Sequence, residues 1–226
     1  MIVVVTPTGD RPHTLKLLEG FMDRHTVKPD RWIIIDDGQI PCEQIRRGNI
    51  YRRNPKPDDP NHTLVINMQM AMAFVMPDDK IIMMEDDDWY APEYVETIAR
   101  ELDEFDLVGQ AGSFYYYFTE NLLWDMGNTN HASLFQTGFR ARVMQGMDYP
   151  DNFSLDLALW RLNAKKKLLD KWPPLAIGMK GLPGRPGQSA GWNIEKYLDK
   201  WQRDLNRVWL KSRIGDDIKL YEGLFK

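Results

Sequence analysis

The chain has 226 residues, 43% of them hydrophobic and 12% aromatic, which excludes a disordered chain and fits one large α/β domain or two small ones. Its single cysteine, Cys42, excludes an internal disulfide framework and suits a reducing compartment. The net charge is −4, yet residues 160–226 hold 15 Lys/Arg against 7 Asp/Glu, and residues 1–159 hold 14 against 26. Such an asymmetry suggests either a metal site followed by a surface for an anionic partner, or basic helices packed on an acidic body.

The start, Met1-Ile-Val-Val-Val-Thr6, lacks the basic n-region and cleavage site of a signal peptide, and no apolar run approaches the ~18 residues that cross a bilayer. A cytoplasmic protein is the simplest expectation. Ile2–Thr6 reads as a first strand covered on both faces, because its residues are continuously apolar and mostly β-branched. Pro7 to Pro12 breaks it. A helix is predicted from about His13 to His25, with Leu15, Leu18, Phe21 and Met22 on one face. Trp32-Ile-Ile-Ile35 is a second buried strand, ending in Asp36-Asp37-Gly38. Strand, helix and strand at this spacing predict a parallel sheet.

A short strand is expected at Asn49–Arg53, and the prolines of residues 54–60 forbid regular structure after it. The Met-rich helix from about Thr63 to Val75 carries Met68, Met70, Met72 and Met76, read as core filling. Lys80-Ile-Ile-Met-Met84 is a third buried strand. It runs into Glu85-Asp86-Asp87-Asp88, and Pro92 fits the first turn of a following helix. Leu107–Phe118 and Ser133–Met144 read as strands, residues 154–169 as helix, and Pro173–Gly191 as a loop. From Asn193 to Arg213 an amphipathic helix is predicted, with Ile194, Tyr197, Leu198, Trp201, Leu205, Val208 and Trp209 on one side. No internal repeat or domain linker is visible.

Four consecutive acids after a buried strand repel one another unless a cation is present. Parallel-sheet proteins place ligands beyond the carboxyl ends of their strands. A hard divalent cation, Mn²⁺ or Mg²⁺, is the natural occupant. Zn²⁺ fits poorly with one Cys and no His pair at ligand spacing. The alternative is a solvated acidic turn before the next helix.

Glu85-Asp-Asp-Asp-Trp-Tyr-Ala-Pro92 resembles the Asp-x-Asp segment of nucleotide-sugar glycosyltransferases of the GT-A fold, in their family-2-like group, with Glu85 in the first acidic place. Val-Val-Val-Thr-Pro-Thr-Gly-Asp-Arg-Pro12 is similar to that group's opening strand and loop. Gly9-Asp10 stands where many members have an aromatic and Asn. Ile-Ile-Ile-Asp-Asp-Gly38 is similar to its second strand and turn. The three motifs cover roughly residues 1–100. The resemblance implies a single α/β domain with a mostly parallel central sheet flanked by helices and a C-terminal helical extension. Residues 1–100 would form the nucleotide-sugar half and residues 101–226 the acceptor half.

What the resemblance implies for individual residues follows from these matches. Thr6, Pro7, Thr8 and Arg11 would border a nucleoside diphosphate, read as UDP, with Asp86 beside them. Asp36 or Asp37 would accept hydrogen bonds from the base or ribose. Arg53 either faces the nucleotide or is a surface charge. Asp87 is the first choice for the metal contact, with Glu85 or Asp88 acting directly or through water. An inverting hexosyl transfer also needs a base near the acceptor hydroxyl. Asp156 resembles that base, although Leu155 stands where a Glu is common; Asp151 and Asp148 are alternatives. Lys180 and Arg185 would neutralise the departing diphosphate from a mobile loop. Trp192 either stacks on a base or sugar or anchors that loop, and His131 is a distant candidate ligand or a structural residue.

The acceptor is open. Basic residues interleaved with Trp160, Trp172, Trp192, Trp201 and Trp209 suit a phosphate backbone and an unstacked base, so a hydroxymethylated DNA base is one candidate, beside saccharide, protein and glycolipid hydroxyls. Two other classes compete. A nucleotidyltransferase would normally have a Gly-rich basic loop after the first strand, where Thr6–Pro12 has only Gly9 and Arg11. A non-catalytic nucleotide or nucleic-acid binding module would have no need for four clustered acids.

Overall fold

Three apolar runs, each ending near a polar turn, build the centre of the molecule in a computed structural model that describes all residues except 44, 57, 60–62, 146, 150–153 and 186–193. In chain order they are β1 (Ile2–Thr8), β2 (Arg31–Asp36) and β4 (Lys80–Met83), with α1 (Pro12–Arg24), β3 (Asn49–Arg52) and α2 (Leu64–Met72) between them. Then come β5 (Trp89–Tyr90), α3 (Tyr94–Glu101), β6 (Leu107–Gln110), β7 (Phe114–Tyr117), β8 (Leu122–Asp125) and β9 (Thr137–Arg140). The chain continues with α4 (Leu155–Arg161), β10 (Lys166–Leu169), β11 (Ala176–Lys180), β12 (Gln202–Arg203), α5 (Val208–Ile214) and α6 (Ile218–Gly223).

A seven-stranded sheet runs β10-β6-β9-β4-β1-β2-β3. It is parallel from β4 through β3 and between β10 and β6, and β9 is antiparallel to both of its neighbours. Alternate side chains go to opposite faces. Val4, Ile34 and Ile82 join one core with Leu15, Phe21 and Ile98. Val3, Val5, Ile33 and Ile81 join a second with Met68 and Leu159. Both faces are covered, which explains the unbroken apolar runs. A five-stranded sheet, β12-β8-β7-β11-β5, stands beside the first.

Several sequence expectations need correction. β1 continues through Pro7 to Thr8, pairing with β2. Its pairing with β4 covers only Ile2–Val5, so β1 is an edge on that side by Pro7, where a missing N–H is tolerated. The helix expected over 154–169 stops at Arg161, and Lys166–Leu169 pairs with β6 instead. The stretch read as a loop contains β11, all five residues of which are buried. The long helix of residues 193–213 does not form. Asp204 accepts from the backbone of Trp209 and Leu210 and from the Tyr116 hydroxyl, and Asn206 and Arg207 adopt positive φ, which breaks a right-handed helix. Leu198, Leu205 and Val208 are consequently exposed, while Trp201 is buried. Of the methionines of the Met-rich stretch, Met68 is fully buried, Met70 and Met72 pack against the core, and Met76 is exposed. Among the described residues, no helix is long and apolar enough to cross a membrane.

Candidate functional site

Parallel register brings the C-terminal ends of β1, β2 and β4 to one place. Thr8 lies opposite Asp36, and Val5 lies opposite Met83. The acidic turn after β4 is held from several sides. Glu85 donates its backbone N–H to the Tyr90 hydroxyl at 2.7 Å. Thr8 Oγ1 donates to Asp86 Oδ2 at 2.6 Å. Arg11 reaches Asp86 at 3.0 Å and Asp87 at 2.8 Å. From the second sheet, the Met179 N–H donates to Asp88 Oδ1 at 2.8 Å. Lys180 Nζ lies 3.2 Å from Asp88 and 3.7 Å from Asp87.

Glu85, Asp87 and Asp88 each offer an oxygen, and these oxygens lie within 4.8 Å of one another. Asp87 Oδ1 and Asp88 Oδ2 are buried and have no hydrogen-bond partner among the described residues. Such atoms are expensive to bury unless something satisfies them. Four carboxylates meet two directly pairing cations, Arg11 and Lys180. When all four are ionised, two negative charges remain, which one divalent cation would balance, so the donor set fits a hard metal ion with oxygen ligands. Burial pushes Glu85 up to about 7, with Asp87 and Asp86 adding to it against Lys180 and Arg11. Burial also raises Asp88, again against Lys180. Burial acts upward on Asp87 too, but Lys180 and Arg11 hold it below its ordinary value.

The two carboxylates after β2 differ. Asp36 accepts from the Gly38 and Cys42 N–H groups and from Arg52 at 2.9 Å, so it folds its own turn. Asp37 Oδ2 receives Arg53 and Asn67, each at 3.0 Å, and Asp37 Oδ1 receives Arg185 at 2.6 Å. Arg53 therefore belongs to this cluster and is not a free surface charge. Gly9 leaves room for this arrangement, because a side chain there would run into Asp37 and Arg185. Thr6 accepts the Trp32 indole N–H at 2.9 Å, and Pro7 is half-buried beside it.

Lys180 requires a correction: it sits at the end of β11, almost fully buried, and not in a mobile loop. Pairing of β11 with β7 and β5 fixes its backbone. Asp156 is the second residue of α4 and half-buried; burial raises its carboxyl, with His131 opposing. The Tyr115 hydroxyl donates to Ser133 at 3.0 Å and is raised by burial. Asp151 and Trp192 lie outside the described residues. Asp148 is exposed. Asn67 was not anticipated, although a polar residue on the buried face of an apolar helix was a readable signal.

The charge asymmetry also has a structural counterpart. Lys165, Lys167, Lys171, Lys200, Arg207 and Lys219 all pair with acids of this chain. Trp160 and Trp201 are buried, whereas Trp172 is exposed and carries Arg213 over its ring.

No protein-family model matches the sequence, and no curated protein matches it. Solved structures do match the fold. Residues 1–349 of S. aureus TarS, in complex with UDP, are 12% identical with a TM-score of 0.57, covering 79% of this chain and 60% of that one. The mannosyltransferase PcManGT from Pyrobaculum calidifontis, in complex with GDP-Man and Mn²⁺, is 6% identical with a TM-score of 0.56, covering 91% and 66%. Glucosyl-3-phosphoglycerate synthase from Mycobacterium tuberculosis, in complex with Mn²⁺, UDP and glucosyl-3-phosphoglycerate, is 13% identical with a TM-score of 0.56, covering 95% and 80%. The chain spans 36% of the longer TarS structure. These likenesses show that the protein has the GT-A fold of nucleotide-sugar glycosyltransferases.

Proposed function

We propose that the protein is a metal-dependent glycosyltransferase of hexosyltransferase type. It moves a sugar from a nucleoside diphosphate, UDP in the first instance, to an acceptor hydroxyl with inversion. The observation that carries this reading is the pair of buried, unpartnered oxygens of Asp87 and Asp88 at the end of β4 in this fold.

Mn²⁺ or Mg²⁺ held by Asp87, with Glu85 and Asp88, would supply Lewis-acid stabilisation of the departing diphosphate. Arg11 and Lys180 hold the carboxylates in place and add positive charge where negative charge develops. Thr8 fixes Asp86, while Thr6 and Pro7 shape the wall of the nucleotide site. Asp37 is better suited than Asp36 to accept a base N–H, because its Oδ1 receives the partly exposed Arg185, whereas Asp36 holds the backbone of its own turn. A base that takes this oxygen releases Arg185 toward the diphosphate. Asp156 accepts the acceptor's proton, and its raised carboxyl is a stronger base for it. Asp151 is the alternative base, and Trp192 the candidate stacking residue. Arg11 is already bound to Asp86 and Asp87, which leaves the β1 loop without a free cation for nucleotidyl transfer.

Residues 101–226 would form the acceptor side. A hydroxymethylated DNA base is one candidate acceptor, beside a saccharide, protein or glycolipid hydroxyl; Lys165, Lys167, Lys171, Lys200, Arg207 and Lys219 are already paired with acids of this chain. Thermal unfolding with UDP, with Mn²⁺ and with both tests the donor site. Stabilisation is expected only from the combination and is expected to vanish in Asp87→Ala; an unchanged response in that variant would remove Asp87 from the site. Nucleoside diphosphate release from a panel of sugar donors, with and without 5-hydroxymethylated duplex DNA, tests the acceptor.

A further inference from the structure

The one uncharged side chain bonded to Asp37 closes a ring around it. Asn67 stands on α2, 2% exposed. Its Nδ2 donates to Asp37 Oδ2 at 3.0 Å, and its Oδ1 accepts from Arg53 Nε at 2.8 Å. Arg53 Nη2 donates to the same Asp37 Oδ2 at 3.0 Å, so the three side chains form a closed cycle of hydrogen bonds. Arg53 is also fixed from outside the cycle. Its Nη1 lies 2.7 Å from Asp59, and its backbone N–H donates to the Asp36 carbonyl at 2.9 Å. Asp37 is tied to the first strand by its N–H, which donates to the Thr8 carbonyl at 3.0 Å.

The cycle has a chemical requirement. The residue between Arg53 and Asp37 must accept from a guanidinium and donate to a carboxylate, and a short planar amide does both. An Asp there would set two carboxylates against each other, and a Leu would take a buried partner away from both neighbours. The cycle engages Oδ2 and fixes the carboxylate plane, so the direction of Oδ1 is fixed as well. That oxygen lies against the loop after β1: a Cβ on Gly9 would come within 2.3 Å of it and 2.7 Å of Arg185 Nη2. The hydrogen bonds of the cycle involve none of Glu85, Asp87 and Asp88, so recognition of a base and binding of a metal are separable.

We propose that Asn67 is a positioning residue that sets which base the donor carries. By holding Asp37 through Oδ2 it presents Oδ1 as a fixed acceptor. A base with a ring N–H, such as uracil, gives that oxygen a hydrogen bond. Cytosine offers a ring nitrogen lone pair at the equivalent position and is rejected. This inference rests on the donor reading above, in which Asp37 accepts a base N–H. The test titrates UDP, CDP and inorganic pyrophosphate, each with Mn²⁺, into the wild type, Asn67→Asp and Asn67→Leu, and measures thermal unfolding of each protein without ligand. The wild type is expected to prefer UDP to CDP, and both variants to lose about tenfold of that preference, with pyrophosphate affinity unchanged. A purely structural role would lower the unfolding temperature and weaken all three probes together; that result, or an unchanged UDP-to-CDP ratio, overturns the proposal. Asn67→Asp is nearly isosteric and decides the matter if Asn67→Leu does not fold. Failure of both variants to fold assigns the amide to stability and also overturns the proposal. A wild type that binds pyrophosphate–Mn²⁺ without distinguishing UDP from CDP overturns the roles of Asn67 and Asp37 and leaves the metal site standing. A wild type that binds none of the probes overturns both readings.

Discussion

The strand ends of the first hundred residues and the tail after residue 159 are both rich in charge, but they use it differently. At the strand ends, Asp37, Asp86, Asp87 and Asp88 are buried together, and Arg11 and Lys180 are brought in to face them. In the tail, several cations near the surface find single acidic partners, such as Lys165 with Glu104 and Lys171 with Asp125. Exposed pairs of that kind are worth little and are screened by salt. Net charge by segment therefore says less than where each charge is desolvated. Lys180 and Arg185 are the two tail cations whose described ion pairs reach the strand-end carboxylates.

The sharpest test of this contrast is Asp156→Asn. It is expected to keep UDP–Mn²⁺ binding and to lower transfer by about 10²–10⁴-fold; retained turnover in a donor-hydrolysis or transfer assay would place the base elsewhere. Next is Lys180→Met, expected to cost about 3–5 kcal/mol in denaturant unfolding, because Asp87 and Asp88 would stay buried without their partner. A loss comparable to that of Lys165→Met, a surface change, would erase the distinction between the two regions.

A smaller effect is expected from acid. His25 is buried with Nδ1 3.1 Å from the Pro92 carbonyl oxygen. Burial lowers its pKa to about 4, and Arg24 and Lys28 contribute. The folded value lies below the unfolded value near 6.5, so the unfolded chain takes up the proton first as pH falls. Stability should decline between about pH 6.5 and pH 4 by about 3 kcal/mol from this group. The measurement is the difference in pH slope between the wild type and His25→Gln. Smallest is Asp204→Ala in the tail, expected to cost about 1–2 kcal/mol through loss of the bonds that start α5. Its affinity for UDP–Mn²⁺ should be little changed; a large drop would mean that tail geometry sets the donor site.

What could be read from the sequence follows the same division. Ile33–Ile35 and Ile81–Met83 are buried on both faces, so one continuous apolar signal specifies each strand, and the acids follow at the strand ends. In the tail, local pattern and tertiary structure disagree. Leu198, Leu205 and Val208 have helical spacing, but Asp204 bonds to backbone N–H groups and a helix cannot pass through it. Ala176–Lys180 is a strand only because β7 and β5 flank it; the prolines and glycines on either side made it resemble a loop. Lys166–Leu169 has ordinary helical residues and is extended because β6 offers an edge. Asn67 carried a readable signal, a polar residue on the buried face of an apolar helix.

Lys180 being anchored on a strand has a consequence for how the protein acquires its cofactor. A lysine already seated among the carboxylates acts as a permanent internal counter-ion, so folding need not wait for an ion from solution. On the proposed donor reading, chelation or dialysis should therefore remove the cation and leave the chain folded.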